Sequence, residues 1–217
     1  MFDAVSFNSL FFSQLIILAA AHFLAVASPG PDLAVVVKQS IRYGKRNAII
    51  TSIGIGSAIL VHVAYSAVGI GLLIKNSPLL FDILKYACAA YLAFIGYKSL
   101  RVKASEPEQF NQQVRADEQS GRKAFSLGFI TNVLNPKATL FFLSIFSVVV
   151  SHDTPSLWLG TYAIYLSLAT MTWFCFVSLV LSKAAVRNKF LTMGHYFDWV
   201  MGVVLIGLAI KVAFSSL

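Results

Sequence analysis

Long apolar runs alternate with short polar stretches along this chain. Six runs stand out, at about residues 10–37, 48–74, 79–100, 124–150, 157–181 and 196–214. A helix needs roughly 20 apolar residues to cross a bilayer, and each run is near or above that length. Two runs are interrupted. Ser28-Pro29-Gly30-Pro31-Asp32 breaks the first, and Asn135-Pro136-Lys137 breaks the fourth. Each proline removes a backbone donor, and its ring clashes with the preceding turn, so a helix stops there. The pattern predicts an all-α membrane protein of six transmembrane helices, with the first and fourth broken.

The runs differ in detail. The second carries Gly54, Gly56, Gly69 and Gly71 with Ser52, Ser57 and Ser66. Small residues let helix backbones approach closely in lipid. Asp82 and Lys85 lie three apart near the start of the third run, so they share a helix face and can pair. A gate near the membrane surface is the functional alternative for that pair. Residues 101–123 form the only long polar stretch, which suits a flexible linker or a short surface helix. It divides the chain almost in half. The expectation is one transporter domain over 1–217, with half-repeats at about 10–100 and 124–214.

Composition agrees with the pattern. The 217 residues are 58% hydrophobic and only 12% charged, with mean hydropathy +0.76. A soluble domain carries about twice that charge fraction. The net charge of +8 does not point to nucleic acid, because the basic residues lie mostly between apolar runs. Residues 1–9 hold no Lys or Arg, so the first run reads as a retained span rather than a secretory signal. Cys88 and Cys175 sit in separate runs with no CxxC, which argues against a disulfide framework or thiol relay. The four histidines have no metal-ligand spacing.

Loop charges set an orientation. The first connection holds Lys38, Arg42, Lys45 and Arg46, the third Lys98, Arg101, Lys103, Arg115, Arg122 and Lys123, and the fifth Lys183, Arg187 and Lys189. The fourth has none, and the second has only Lys75, with Lys85 just inside the run that follows. The positive-inside rule puts the basic connections in the cytoplasm and both termini outside.

Each half then has three spans, and an odd number inverts the second half relative to the first. Pro31 and Pro136 are 105 residues apart, and so are Asp32 and Lys137. Interrupted segments in corresponding positions of two halves point to a transport site at the membrane midplane. Apart from histidines, Asp32 and Lys137 are the only ionisable residues expected far from a membrane surface. An unpaired charge there costs roughly 2.5–3.5 kcal/mol. The plain alternative is two proline-kinked helices with a structural ion pair. The functional reading is one polar pocket where the breaks meet. Freed helix N-termini attract anions. With an anion and a cation beside them, such a pocket suits a zwitterion such as an α-amino acid, its ammonium on Asp32 and its carboxylate on Lys137 or a helix end. Asp32, taken as the only interior carboxylate, is expected to alternate between the substrate ammonium and a proton.

The chain resembles the LysE/RhtB family of bacterial amino-acid exporters, and within it the homoserine/threonine branch. Pro29, Gly30, Pro31 and Asp32 carry the likeness in the first run, with Gly54-Ile55-Gly56 and His62 in the second. Leu84-Lys85-Tyr86, Tyr91-Leu92 and Gly96 match in the third run. Gly128, Asn132, Asn135-Pro136-Lys137-Ala138 and Phe141-Phe142 match in the fourth. The resemblance implies an inner-membrane exporter in the bilayer, without cofactor or ATPase domain, driven by the proton gradient. The expected site comprises Asp32, Lys137, Pro29, Gly30, Pro31, Asn135, Pro136, Asn132, His62 and Tyr91. His22 and His62 are alternative proton-relay candidates, each also readable as a buried hydrogen-bonding residue.

Rival classes have less support. A metal-ion exporter would want clustered His, Asp or Cys. A thiol-disulfide carrier would need cysteines at the breaks. No nucleophile–base pair or nucleotide-binding motif marks an enzyme. Export of another small solute or of a metal ion by the same superfamily stays open, as do the particular amino acid, the proton stoichiometry and a homodimer.

Overall fold

The computed structural model describes residues 4–28, 30–76, 78–102, 119–150, 154–180 and 184–214. Among them are seven helices and no strand: α1 (Ala4–Ala27), α2 (Pro31–Asn76), α3 (Pro78–Leu100), α4 (Gly121–Val133), α5 (Pro136–Val149), α6 (Ser156–Val180) and α7 (Ala184–Phe214). Pro29 and residues 103–118, most of the expected linker, lie outside the described residues.

Both predicted breaks are present. α1 stops at Ala27, and α2 starts at Pro31. α4 stops at Val133, α5 starts at Pro136, and the two axes are bent by 55°. Proline at the first helical position gives up only an N–H that would have had no partner in the helix.

Besides α1, which starts six residues before the run at 10, two boundaries differ from expectation. The first basic connection is almost entirely helical: α2 runs through Lys38 and Arg42, and only Gly44 leaves helical geometry, at φ 81° and ψ 173°. That φ is open to glycine because it has no Cβ. The other difference is α7, which starts twelve residues before the apolar run at 196. Apolar patterning marks the part of a helix that needs burial, not where its backbone bonds begin.

Among the described residues, three helices are long and apolar enough to cross a membrane, at Ser9–Ala27, Pro31–Gly69 and Ser156–Val180, and the bent α4–α5 pair makes a fourth candidate. Large apolar side chains face outward, such as Leu157 at 80% and Phe214 at 85% exposure, while His62, Ser66, Ser144 and Ser178 are fully buried. A soluble protein shows the reverse bias.

α2 packs mainly against α4 and α6, and α3 against α7. Gly54 and Gly128 bring α2 and α4 together so closely that a Cβ on either would overlap the facing backbone, at the Phe125 and Thr51 carbonyls. Gly56 does the same towards α6, whereas Gly69, expected to pack, has no neighbouring atom within 4 Å of its Cβ position. α3 and α7 meet reciprocally. A Cβ on Gly96 would lie 2.9 Å from the Gly202 carbonyl, and one on Gly202 would lie 2.8 Å from the Gly96 carbonyl. The same Gly96 position meets Ile206, and Gly202 meets Leu100.

The main core joins Leu18, Ile59, Val63, Phe142, Ile145, Phe146, Tyr162 and Met201 from five helices. A second cluster packs Leu33, Val36 and Val37 of α2 against Phe174 and Val177 of α6. So the helix after the first break lies on α6, while the helix after the second, α5, lies on the 45–76 part of α2. Asp82 and Lys85 form the expected pair, at 3.3 Å.

Candidate substrate site

The two breaks meet. Asn135 is the N-cap of α5, and its Oδ1 accepts from the Lys137 backbone N–H at 3.0 Å. The other end of that amide reaches the opposite break, where Asn135 Nδ2 donates to Asp32 Oδ2 at 2.9 Å. Asn132, in the last turn of α4, donates its Nδ2 to the same oxygen at 3.1 Å. In the other direction, Lys137 Nζ donates to Ser28 Oγ at 3.0 Å and to the Ser28 carbonyl at 3.4 Å. Each break is therefore held by side chains from the other.

These groups form one wall of a cavity. Asp32, Gly30, Asn132, Asn135, Lys137 and Tyr91 line it, joined by Ser28, His22 and Thr170, and Phe141, Phe142, Met201 and Leu205 form the apolar side. The Lys137 side chain passes beside Gly30: Nζ lies 3.6 Å from where a Cβ would sit, an ordinary contact distance. Gly30 also precedes the first residue of α2 and has no side chain to cap it. Asn135 does cap α5, so the two helix starts differ in whether the preceding side chain can cap them.

Two acceptors on this wall are unused. Asp32 Oδ1 and Asn132 Oδ1 are buried and have no hydrogen-bond partner among the described residues. A carboxylate and an amide oxygen can only accept, so each has room in its valence for a hydrogen bond from a donor.

His62 does not line the cavity. It is buried behind Asn132, with Nε2 3.0 Å from the Asn132 carbonyl and Nδ1 2.5 Å from the Tyr65 hydroxyl. A carbonyl cannot donate, so Nε2 carries the proton and, in the neutral ring, Tyr65 donates to Nδ1. Its ring stacks on Phe142 at a centroid distance of 5.5 Å. His62 thus positions the end of α4. His22, on the cavity, has Nε2 2.9 Å from Thr170 Oγ1. Pro31 and Pro136 start their helices without lining the cavity.

One group overturns the expectation that Asp32 is the only interior carboxylate. Asp198 of α7 is 6% exposed, and Ser28 Oγ donates to its Oδ1 at 2.6 Å. Its position at the head of the sixth apolar run reads as interfacial. The available signal was spacing: Asp198, Met201 and Leu205 follow a 3–4 pattern on one helix face, and the last two line the cavity. Among the described residues, no three His, Cys, Asp or Glu side chains come together as a metal site.

Residues 23–216 match the family model described as LysE type translocator. The chain belongs to the LysE family. It is therefore a multi-pass membrane transporter and not an enzyme. Curated relatives agree along its length. The threonine efflux protein of Salmonella typhi is 26% identical over 199 residues, covering 91% of this chain and 96% of that one. The threonine efflux protein of Escherichia coli K12 is 25% identical over the same coverage. The uncharacterized membrane protein YrhP of Bacillus subtilis is 26% identical over 198 residues, covering 88% of this chain and 94% of that one. No solved structure matches. Gly30–Asp32 and Asn135–Lys137, both within the matched range, are the segments that interlock here.

Proposed function

We propose that this LysE family member exports small neutral amino acids, threonine or homoserine among them, from the cytoplasm of a bacterium across its inner membrane. The observation that carries this reading is the pair of unused acceptors, Asp32 Oδ1 and Asn132 Oδ1, in a cavity that also holds the Lys137 ammonium. An α-amino acid complements all three. Its ammonium donates to the two oxygens, and its carboxylate meets Lys137 and the uncapped start of α2. The names of the Salmonella and Escherichia relatives favour threonine. Six spans accommodate the helices. The 39-residue stretch Pro31–Gly69 would be about 58 Å long as one helix, twice the roughly 30 Å hydrocarbon core. Gly44 divides it into the end of span one and the start of span two.

The proposed architecture is a single 3+3 inverted-repeat domain, with half-repeats at about 10–100 and 124–214, both termini outside and residues 101–123 in the cytoplasm. Two features favour the repeat. Gly96 and Gly202 are 106 residues apart, close to the 105 separating the prolines. Their contact is also isologous, as a two-fold axis between equivalent helices requires. Export runs by proton antiport: Asp32 exchanges the substrate ammonium for a proton entering from outside. The test is efflux of radiolabelled amino acids, loaded as dipeptides, from cells with and without the protein. L-threonine or L-homoserine should leave faster when it is present, and collapse of the proton gradient should slow them. Equal efflux of every amino acid tried would sink the amino-acid reading. Gradient-independent efflux would sink only the antiport.

A further inference from the structure

Lys137 and Asp32 line the cavity, and Asp198 lies behind Ser28, so one cation has two carboxylates near it and the hydrogen bonds divide them unequally. Lys137 Nζ donates to Ser28 Oγ at 3.0 Å, and Ser28 Oγ donates to Asp198 Oδ1 at 2.6 Å. That is a directed chain, ammonium to hydroxyl to carboxylate, from α5 through the first break to α7. Ser28 itself is 4% exposed and Asp198 6%, so water does not replace the link. Asp32 is held differently. Two neutral amides satisfy Oδ2, and Oδ1 is left without a partner. Both carboxylates lie near enough to interact with the Lys137 charge, and His195, one turn before Asp198 on α7, is a further titratable neighbour of Asp198.

We propose that Asp198 is the standing counter-ion of Lys137, coupled to it through Ser28, and that this coupling keeps the lysine from neutralising Asp32. The consequence for transport, which rests on the amino-acid reading, is a division of labour. Asp198 balances the protein's own cation, and Asp32 keeps one oxygen free for the ammonium of the cargo. A buried ion left without its partner is strongly unfavourable, whereas loss of both partners together costs far less. Asp198 is a positioning residue in this scheme, because it acts through Lys137.

A ligand-free double-mutant cycle tests the pairing, so its failure is separable from failure of the amino-acid reading. The full-length protein is purified in detergent as wild type, Asp198→Asn, Lys137→Gln and the double variant, and unfolding midpoints are compared. A second cycle pairs Asp32→Asn with Lys137→Gln. The expected result is strong non-additivity in the Asp198 cycle: each single change lowers the midpoint by more than the double change does. The Asp32 cycle should show a smaller coupling. Additive effects of Asp198→Asn and Lys137→Gln, or a coupling to Asp32 as large or larger, would overturn the proposal. If Asp198→Asn alone does not fold, Ser28→Ala takes its place, since it removes the bridge and leaves both charges. Its loss of midpoint should shrink in the Lys137→Gln background, where only the Ser28–Asp198 hydrogen bond remains to lose, and an undiminished loss there would refute the bridge.

Discussion

Asn135 is the side chain through which the two breaks depend on each other most directly. Its Oδ1 caps α5, and its Nδ2 holds the Asp32 carboxylate. Asn135→Ala removes both. Loss of an N-cap costs about 0.5–2 kcal/mol, and loss of a hydrogen bond to a charged group costs about 1.5–3 kcal/mol. The variant should therefore lose about 2–5 kcal/mol of stability. Asn135→Ser separates the parts, because serine caps well but cannot reach Asp32 with an amide donor. It should lose only the second contribution, about 1.5–3 kcal/mol. The assay is reversible denaturant unfolding of the purified protein in mixed micelles, followed by circular dichroism. If both variants fall within about 0.5 kcal/mol of wild type, the range of an inert surface change, Asn135 does not join the breaks and the account of the wall is wrong. If serine is as damaging as alanine, the cap contributes nothing.

Three further outcomes are expected. Asp32→Asn should abolish gradient-driven amino-acid efflux while the protein still inserts, and Lys137→Ala should be comparably harmful; wild-type efflux with a normal response to an uncoupler would remove Asp32 from the coupling role. Ser120→Cys, at the exposed N-cap of α4, should resist a membrane-impermeant thiol reagent in intact cells and react in inverted vesicles; labelling in intact cells would reverse the proposed orientation. Gly202→Val should lower stability by about 1–3 kcal/mol, because its Cβ would sit 2.8 Å from the Gly96 carbonyl, whereas Gly160→Ala, which faces open space, should leave the unfolding midpoint unchanged.

Much of the helix plan was legible because its causes are local. A proline ends a helix wherever it stands, so Pro31 and Pro136 located both breaks. Apolar length marked α3 and α6 closely, and the end of α1. It failed at Gly44, where one residue of positive φ replaces an expected loop, and at the start of α7. Neither a single flexible residue nor a polar helical extension leaves a mark on hydropathy. At the site, the charge pair Asp32 and Lys137 stood out by depth alone, and Asn132 and Asn135 by their closeness to a break.

What the sequence by itself determined is the part of the molecule that one stretch of chain decides: helix, break, apolar depth and the presence of rare interior charges. Tertiary structure alone decided how those charges are shared. Ser28 and Asp198 are 170 residues apart, and their hydrogen bond exists only because α1 and α7 pack on the same cavity. The unused oxygens of Asp32 and Asn132 are likewise defined by what surrounds them. So is the role of His62, which is set by the Asn132 carbonyl of another helix. Periodicity and composition carry no information on such pairings, because a hydrogen bond depends on distances of a few ångströms between segments whose spacing in the chain places no limit on their separation in space.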